Sequence, residues 1–142
     1  MRVPWCDEWL ANYLKSIGAV AGSVHLVEGD GLRLAGAMNL PEKVRRIVEW
    51  VPSGKGMAGQ ALVHGEPVFT CNLKDDSSGA VRPGAKAVDA QAAVAMPVRN
   101  SVNDIVAVLG FAFADQRDFT PGDLAAFAKK ASGLVSTIEA SV

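Results

Sequence analysis

Four side chains in this sequence of 142 residues could support thiol or imidazole chemistry: Cys6, Cys71, His25 and His64. The separation of the two cysteines matches neither a zinc-binding nor a redox motif. His25 stands alone in a predicted strand, without the partners that define a catalytic or metal site. His64 precedes Gly65 at the end of a predicted helix, where it can interact with the helix dipole. We therefore expect no metal site and no catalytic residue, and interpret Cys71 as a small buried residue or a ligand-contacting thiol.

A glycine-rich segment at residues 54–59 (GKGMAG) invites comparison with a phosphate-binding loop. A nucleotide P-loop requires Gly-Lys followed by Ser or Thr, whereas Lys55 is followed by Gly56. We interpret the glycines as turn and close-packing positions around a short helix that leads into a strand ending near Thr70. In that helix Met57 is an adaptable apolar side chain that could reach a ligand.

The spacing of apolar residues and the positions of turn residues predict the helices and strands that would position these side chains. Residues 1–18 are predicted to form a helix with an apolar stripe. Residues 20–27 and 32–37 form an antiparallel hairpin across a turn rich in glycine. A short helix follows Pro41, and the step from Val51 to Pro52 breaks it before the glycine-rich segment.

The second half of the chain predicts a long loop, a hairpin and a helix. Residues 72–89 are rich in Asp, Ser, Gly, Pro, Lys and Ala, which is typical of a long functional or mobile loop. Residues 92–98 and 105–114 form the second hairpin, and Thr120 is the predicted N-cap of a helix over residues 120–140. Because the strands occur in two hairpins with helices at both ends, the fold class is α+β.

Three segments together resemble the GAF domain family: residues 54–70 (GKGMAGQALVHGEPVFT), 92–98 (AAVAMPV) and 105–114 (IVAVLGFAFA). The resemblance extends from about Leu10 to Leu134. It implies a GAF/PAS-like central antiparallel sheet of five or six strands, with the terminal helices on one face. On the other face it implies a ligand cavity under a short helix and the long loop.

Strand alternation predicts which side chains face that cavity. The bulky face of the last strand needs burial against helices, whereas Gly110 and Ala112 on its other face leave space. A competing interpretation is that small residues let a helix approach the sheet closely. If Val24 and Leu26 face the terminal helices, His25 points at the cavity, with a hydrogen-bonded structural histidine as the alternative. The candidate ligand-binding residues are Ser23, His25, Met57, Phe69, Cys71, Ala93, Gly110 and Ala112.

The resemblance implies a non-catalytic, small-molecule-sensing regulatory domain of bacterial-type signal transduction. The alternative is a protein interaction or dimerisation module whose pocket is unused. A less favoured alternative is free methionine-R-sulfoxide reductase, a stand-alone GAF protein that uses cysteines and acidic pocket residues. Its glycine-segment cysteine falls here on Ala58, and its pocket carboxylates fall on Ala93, Gly110 and Ala112.

Other ligand classes of the family also lack their motifs here. Of the cyclic-nucleotide pattern, Asn100, Phe119 and Asp123 match, but Ser101 and Leu124 do not. Covalent bilin attachment requires a cysteine followed by histidine or an Asp-x-Cys-Phe motif, and the sequence has neither. A haem or iron sensor requires more than two histidines and scattered carboxylates. The sequence identifies no cofactor.

Composition limits the partners that we expect. The net charge is −1, with 14 basic and 15 acidic residues mixed along the chain, so nucleic-acid binding is not expected. The N-terminus lacks an export signal, and no apolar run reaches the roughly 20 residues of a membrane helix. We expect a cytoplasmic protein in which residues 1–142 form one domain, with sheet and pocket in residues 19–114. Predicted partners are an unknown small-molecule ligand, a second copy bound through the terminal helices, and a separate signalling output protein unless the chain is a fragment.

Overall fold

The computed structural model describes residues 4–70, 91–115 and 118–140, which form one antiparallel sheet flanked by helices. The helices are α1 (Pro4–Ile17), α2 (Glu42–Ile47), α3 (Gly56–His64) and α4 (Pro121–Ala140), and the strands are β1 (Ala21–Glu28), β2 (Gly31–Met38), β3 (Trp50–Pro52), β4 (Val68–Thr70), β5 (Ala92–Arg99) and β6 (Ile105–Phe113). The six strands lie in the order β3-β2-β1-β6-β5-β4. This architecture confirms the predicted α+β fold class and the predicted sheet of five or six strands.

The main hydrophobic core lies between one face of the sheet and the two terminal helices. From the strands it takes the bulky side chains that alternation predicted for this face, including Val24, Leu109 and Phe111. Leu10 of α1 and Leu134 of α4 close the core from the other side, and both are fully buried. The terminal helices therefore cover one face of the sheet, as expected.

Helix α1 approaches this face so closely that two strand positions leave no room for a side chain. A Cβ atom on Gly22 would lie 2.9 Å from Leu14 Cδ2, and one on Gly36 would lie 2.8 Å from Cys6 Cβ. The Asp7 carboxylate then accepts a hydrogen bond of 2.9 Å from the Ala37 backbone amide, which ties α1 to β2. The glycines thus set the distance between α1 and the sheet.

The opposite face carries two smaller apolar clusters under α2 and α3. Val44 of α2 packs with Ala21, and Ala61 of α3 packs with Val108, while Met57 contacts both clusters. Gly59 lets α3 lie against β3, since a Cβ there would be 2.6 Å from the Pro52 carbonyl oxygen. The glycines of this segment are therefore turn and packing positions, in agreement with the sequence-based interpretation.

The edge strands of the sheet, β3 and β4, have three residues each.

Side chains cap the start of α4. Thr120 Oγ1 accepts a hydrogen bond from the Asp123 amide, and the Asp123 carboxylate accepts one from the Thr120 amide, both at 3.0 Å. This reciprocal capping agrees with the predicted N-cap. The long loop predicted for residues 72–89 lies outside the described residues.

Tyr13 links the two terminal helices, and its buried phenol makes the free energy of unfolding depend on pH. Its hydroxyl donates a 2.9 Å hydrogen bond to the Phe127 carbonyl, and burial raises the pKa of Tyr13 above its usual range. The unfolded state ionises this phenol near pH 10, so the stability that it contributes is complete below about pH 10 and is lost as pH rises further.

We expect the Tyr13→Phe variant to be about 1 kcal/mol less stable than the wild type at pH 7, because the hydrogen bond is lost. Above about pH 10 this difference should shrink, since phenylalanine does not ionise. Denaturant unfolding at pH 7, 9 and 10.5 measures both effects. A difference that stays constant over this range would contradict the pKa argument.

Candidate functional site

A cavity of about 140 Å³ opens between the sheet and the two short helices α2 and α3. Strands β1, β5 and β6 form its floor. Helices α2 and α3 and the residues that flank them, Leu40, Val48 and Lys55, form its roof. We call it the sheet cavity. The described residues that line it are Ala21, Gly22, Ser23, His25, Leu40, Val44, Val48, Val51, Lys55, Gly56, Met57, Ala58, Ala93, Val94, Ala95, Gly110, Phe111 and Ala112.

The floor of the sheet cavity consists mainly of small side chains from adjacent strands. Ser23 pairs with Gly110 across β1 and β6, and Ala93 pairs with Ala112 across β5 and β6. A Cβ atom on Gly110 would come within 4 Å of a single described atom outside its chain neighbours, Ser23 Oγ at 2.9 Å. Gly110 therefore leaves cavity space on its side-chain side, whereas a Cβ atom on Gly22 would meet Leu14 of α1.

His25 connects the floor of the sheet cavity to its roof. The side chain is 3% exposed, and its Nε2 lies 2.7 Å from the Val48 carbonyl oxygen. A carbonyl oxygen only accepts, so Nε2 carries the hydrogen in this bond. Val48 is the C-cap residue of α2, and its own amide bonds to Val44. The histidine thereby ties β1 to the end of the helix that covers the cavity.

The register of β1 and β2 shifts by one residue beside His25. Val24 pairs with Gly36 but His25 pairs with Leu34, so Ala35 is an extra residue in β2 at this point. Such a bulge increases the local twist of the strand and redirects neighbouring side chains. His25 lines the cavity while Val24 faces the terminal helices, which agrees with the predicted alternation.

The structure brings together most of the predicted ligand-binding residues. Six of them line the sheet cavity: Ser23, His25, Met57, Ala93, Gly110 and Ala112. Phe69 is absent from the lining; the residue is 43% exposed, and its ring contacts the Phe119 ring edge-on at a centroid distance of 5.6 Å. Cys71 lies outside the described residues. A role in ligand binding stays a prediction for each of these residues.

Sequence reasoning did not include the α2 side of the cavity among its candidates. Leu40, Val44 and Val48 line the roof. Their spacing of four residues places them on one face of a helix, and this was the available signal. It was missed because the helix has only six residues, Glu42–Ile47, and the outer two positions lie beyond its ends.

The described lining of the sheet cavity contains neither a thiol nor a carboxylate. The free thiol of Cys6 lies in the core on the opposite face of the sheet. Burial and the nearby Asp7 charge raise the pKa of the Cys6 thiol to about 11, so it stays protonated at neutral pH.

Within the described ranges, no group of three or more His, Cys, Asp or Glu side chains could hold a metal ion. No helix in these ranges is long and apolar enough to cross a membrane.

A family model described as GAF domain matches residues 8–139. Among curated proteins, the sequence has no match. The GAF domain of a phosphoenolpyruvate-protein phosphotransferase from Coxiella burnetii is similar in structure, with a TM-score of 0.76, 15% identity, and coverage of 96% of this chain and 81% of that chain.

Two further solved structures have the same fold. The GAF domain of a two-component sensor histidine kinase from Bacillus halodurans gives a TM-score of 0.69 at 17% identity, covering 95% of this chain and 94% of that one. The type II free methionine-R-sulfoxide reductase from Thermoplasma acidophilum gives 0.71 at 14% identity, covering 94% and 92%. At these identities the likeness shows the fold and no more.

Proposed function

This chain belongs to the GAF domain family, and on that premise we propose that it is a regulatory domain that senses a small molecule through the sheet cavity. The observation that carries the proposal is the cavity itself, which lies between the sheet and two short helices and is lined mainly by small apolar side chains. A concave, mostly apolar site with a few polar groups is the usual form of a small-molecule site. Residues 1–142 act as one domain in this proposal.

The sheet offers a direct route from the cavity to the terminal helices. In β6, Gly110 and Ala112 border the cavity, while the adjacent Leu109 and Phe111 belong to the core under α1 and α4. A ligand that moves this strand therefore moves side chains that pack against both helices. Binding energy that differs between two positions of the strand would shift their populations. We propose that the terminal helices transmit this shift to a separate signalling protein.

We propose that the domain is not an enzyme. A thiol-based reductase needs an accessible thiol of low pKa, and the sole cysteine among the described residues, Cys6, is fully buried with a raised pKa. The four positions at which the resemblance to methionine sulfoxide reductases called for a cysteine or carboxylates are Ala58, Ala93, Gly110 and Ala112. All four line the sheet cavity, where they offer apolar contacts instead. The free Cys6 thiol also fits the proposed cytoplasmic location.

A second function, dimerisation, is favoured by the outer sides of the terminal helices. Trp5 and Trp9 of α1 and Val135 and Ile138 of α4 are each only partly buried against the core. Partly exposed tryptophans are common in protein interfaces. In this second proposal the terminal helices bind another copy of the chain, and the cavity is not used.

The sensing function predicts that a metabolite will stabilise the wild type but not a variant with a filled cavity. When the ligand in an extract fraction is present at about 100 times its dissociation constant, we expect it to raise the free energy of unfolding by about 2.7 kcal/mol. This corresponds to a rise in melting temperature of roughly 5–10 °C. Thermal unfolding of the wild type against fractionated extract measures it, and native mass spectrometry identifies the bound mass.

Two substitutions of the same kind make this test specific. Ala112→Leu places a larger side chain in the sheet cavity, so the stabilisation should be lost. Ala125→Leu makes the same change at an exposed position of α4, so the stabilisation should remain. If no fraction stabilises the wild type and sedimentation velocity shows a dimer, the second function replaces the first.

A further inference from the structure

We infer that the sheet cavity selects small, uncharged and mostly apolar molecules that carry at most one hydrogen-bonding group. This inference rests on the proposed sensing function and specifies the chemical class of ligand. It follows from the size of the cavity, the chemistry of its walls and the position of its charged groups.

The space between the described walls of the cavity suits a single small ring or a short branched chain. Its volume is about 140 Å³. An engineered apolar cavity of about 150 Å³ binds benzene or xenon, whereas sites for drug-sized ligands measure about 300–1,000 Å³. A nucleotide or a tetrapyrrole therefore does not fit wholly between the described walls.

The walls of the cavity favour an apolar ligand body. On the floor, Ala21, Ala93 and Ala112 pack with the roof residues Val44 and Met57 in one cluster. A second apolar cluster, which includes Val51 and Ala61, continues the apolar wall towards β3 and α3. Every apolar ligand atom that enters is removed from water against these side chains, which is the main source of affinity for such a site.

Two polar side chains inside the cavity provide for one hydrogen-bonding group. The Ser23 hydroxyl lies beside the space at Gly110, only 2.9 Å from the position that a Cβ atom would take. A hydroxyl can both donate and accept. His25 is also part of the lining, and it is already bonded to the Val48 carbonyl. The polar contacts therefore suit a hydroxyl or carbonyl on an otherwise apolar molecule.

The distribution of charge disfavours an ionic ligand. Among the described lining residues, Lys55 is the one Lys, Arg, Asp or Glu, and it is exposed at the start of α3. Its ammonium group can remain in water, so it gives little compensation to an ion held on the floor of the cavity. Burying an ion without a paired counter-charge is strongly unfavourable. An uncharged ligand avoids this cost.

Three probes of similar shape test the inference: benzyl alcohol, benzoate and benzylammonium at pH 7. Amide chemical shifts of ¹⁵N-labelled wild type report where and how tightly each one binds. We expect benzyl alcohol to give saturable shifts at Ser23, Ala93 and Gly110, with a dissociation constant at least about tenfold lower than either ion, equivalent to 1.4 kcal/mol. Ala112→Leu should weaken its binding at least about tenfold, and Ala125→Leu should leave it unchanged.

A second variant in the cavity, Ala93→Leu, keeps the test decisive if Ala112→Leu does not fold. The inference is overturned if either ion binds at these amides as tightly as the alcohol, or if the alcohol gives no saturable shift there. If an extract fraction stabilises the wild type but the alcohol does not bind, only the ligand class is wrong and sensing stands. If neither the fraction nor the alcohol binds, both proposals fail.

Discussion

Gly36→Ala is expected to reduce the free energy of unfolding by about 1–3 kcal/mol, because the added methyl group overfills the space between β2 and α1. The new Cβ atom would lie 2.8 Å from Cys6 Cβ, 3.1 Å from the Cys6 carbonyl carbon and 3.3 Å from the Asp7 amide nitrogen. Two of these three atoms belong to the backbone, so no side-chain rotation can relieve the contacts. Helix α1 must move away from the sheet, which also strains the bond from the Ala37 amide to the Asp7 carboxylate.

The same substitution at Gly133 provides the control for Gly36→Ala. Gly133 lies inside α4, and a Cβ there would meet its nearest neighbour, Trp9 Nε1, at an ordinary distance of 3.7 Å. Alanine in a helix interior is more stable than glycine by about 0.5–1 kcal/mol. We therefore expect Gly133→Ala to raise stability. Urea unfolding of both variants measures the opposite signs; equal or reversed effects would show that α1 does not pack against β2 as described.

The secondary structure was largely predictable because it depends on local patterns. Thr120 and Asp123 form the cap that their spacing indicated, and alternation along β6 separates Leu109 from Gly110 as expected. Strand β3 was not predicted. It has three residues, Trp50–Pro52, which is too short for alternation to show, and its pairing with β2 depends on contacts distant in sequence.

Five of the six predicted residues that line the sheet cavity followed from side-chain alternation along strands, and Met57 followed from its place in a helix. Alternation could not reveal the bulge at Ala35, because an extra residue in one strand is defined by its partner strand. Phe69 illustrates the same limit. Strand β4 has three residues and lies at the sheet edge, so its neighbour could not be foreseen, and the structure places its ring against Phe119.

The second large effect that we expect is a loss of stability when His25 is replaced by alanine. His25→Ala should lower the free energy of unfolding by about 2–3 kcal/mol, because a buried ring and its hydrogen bond are both lost. The bond connects β1 to Val48 at the end of α2. Since α2 is a six-residue helix without a side-chain cap at its N-terminus, we expect its position over the sheet cavity to depend on this bond. Denaturant unfolding measures the global change.

Hydrogen exchange distinguishes a specific link to α2 from a general loss of packing. The Val48 amide bonds to the Val44 carbonyl, so its exchange reports local opening of α2. In His25→Ala this amide should exchange faster than the global loss of stability accounts for, whereas amides of α1 should follow the global change alone. His25→Gln retains an amide donor for the Val48 carbonyl and should restore most of the protection. His64→Ala, which changes the exposed histidine, should leave the exchange at Val48 in line with any global change. Exchange at Val48 that is equal in all variants would show that α2 holds its position without His25.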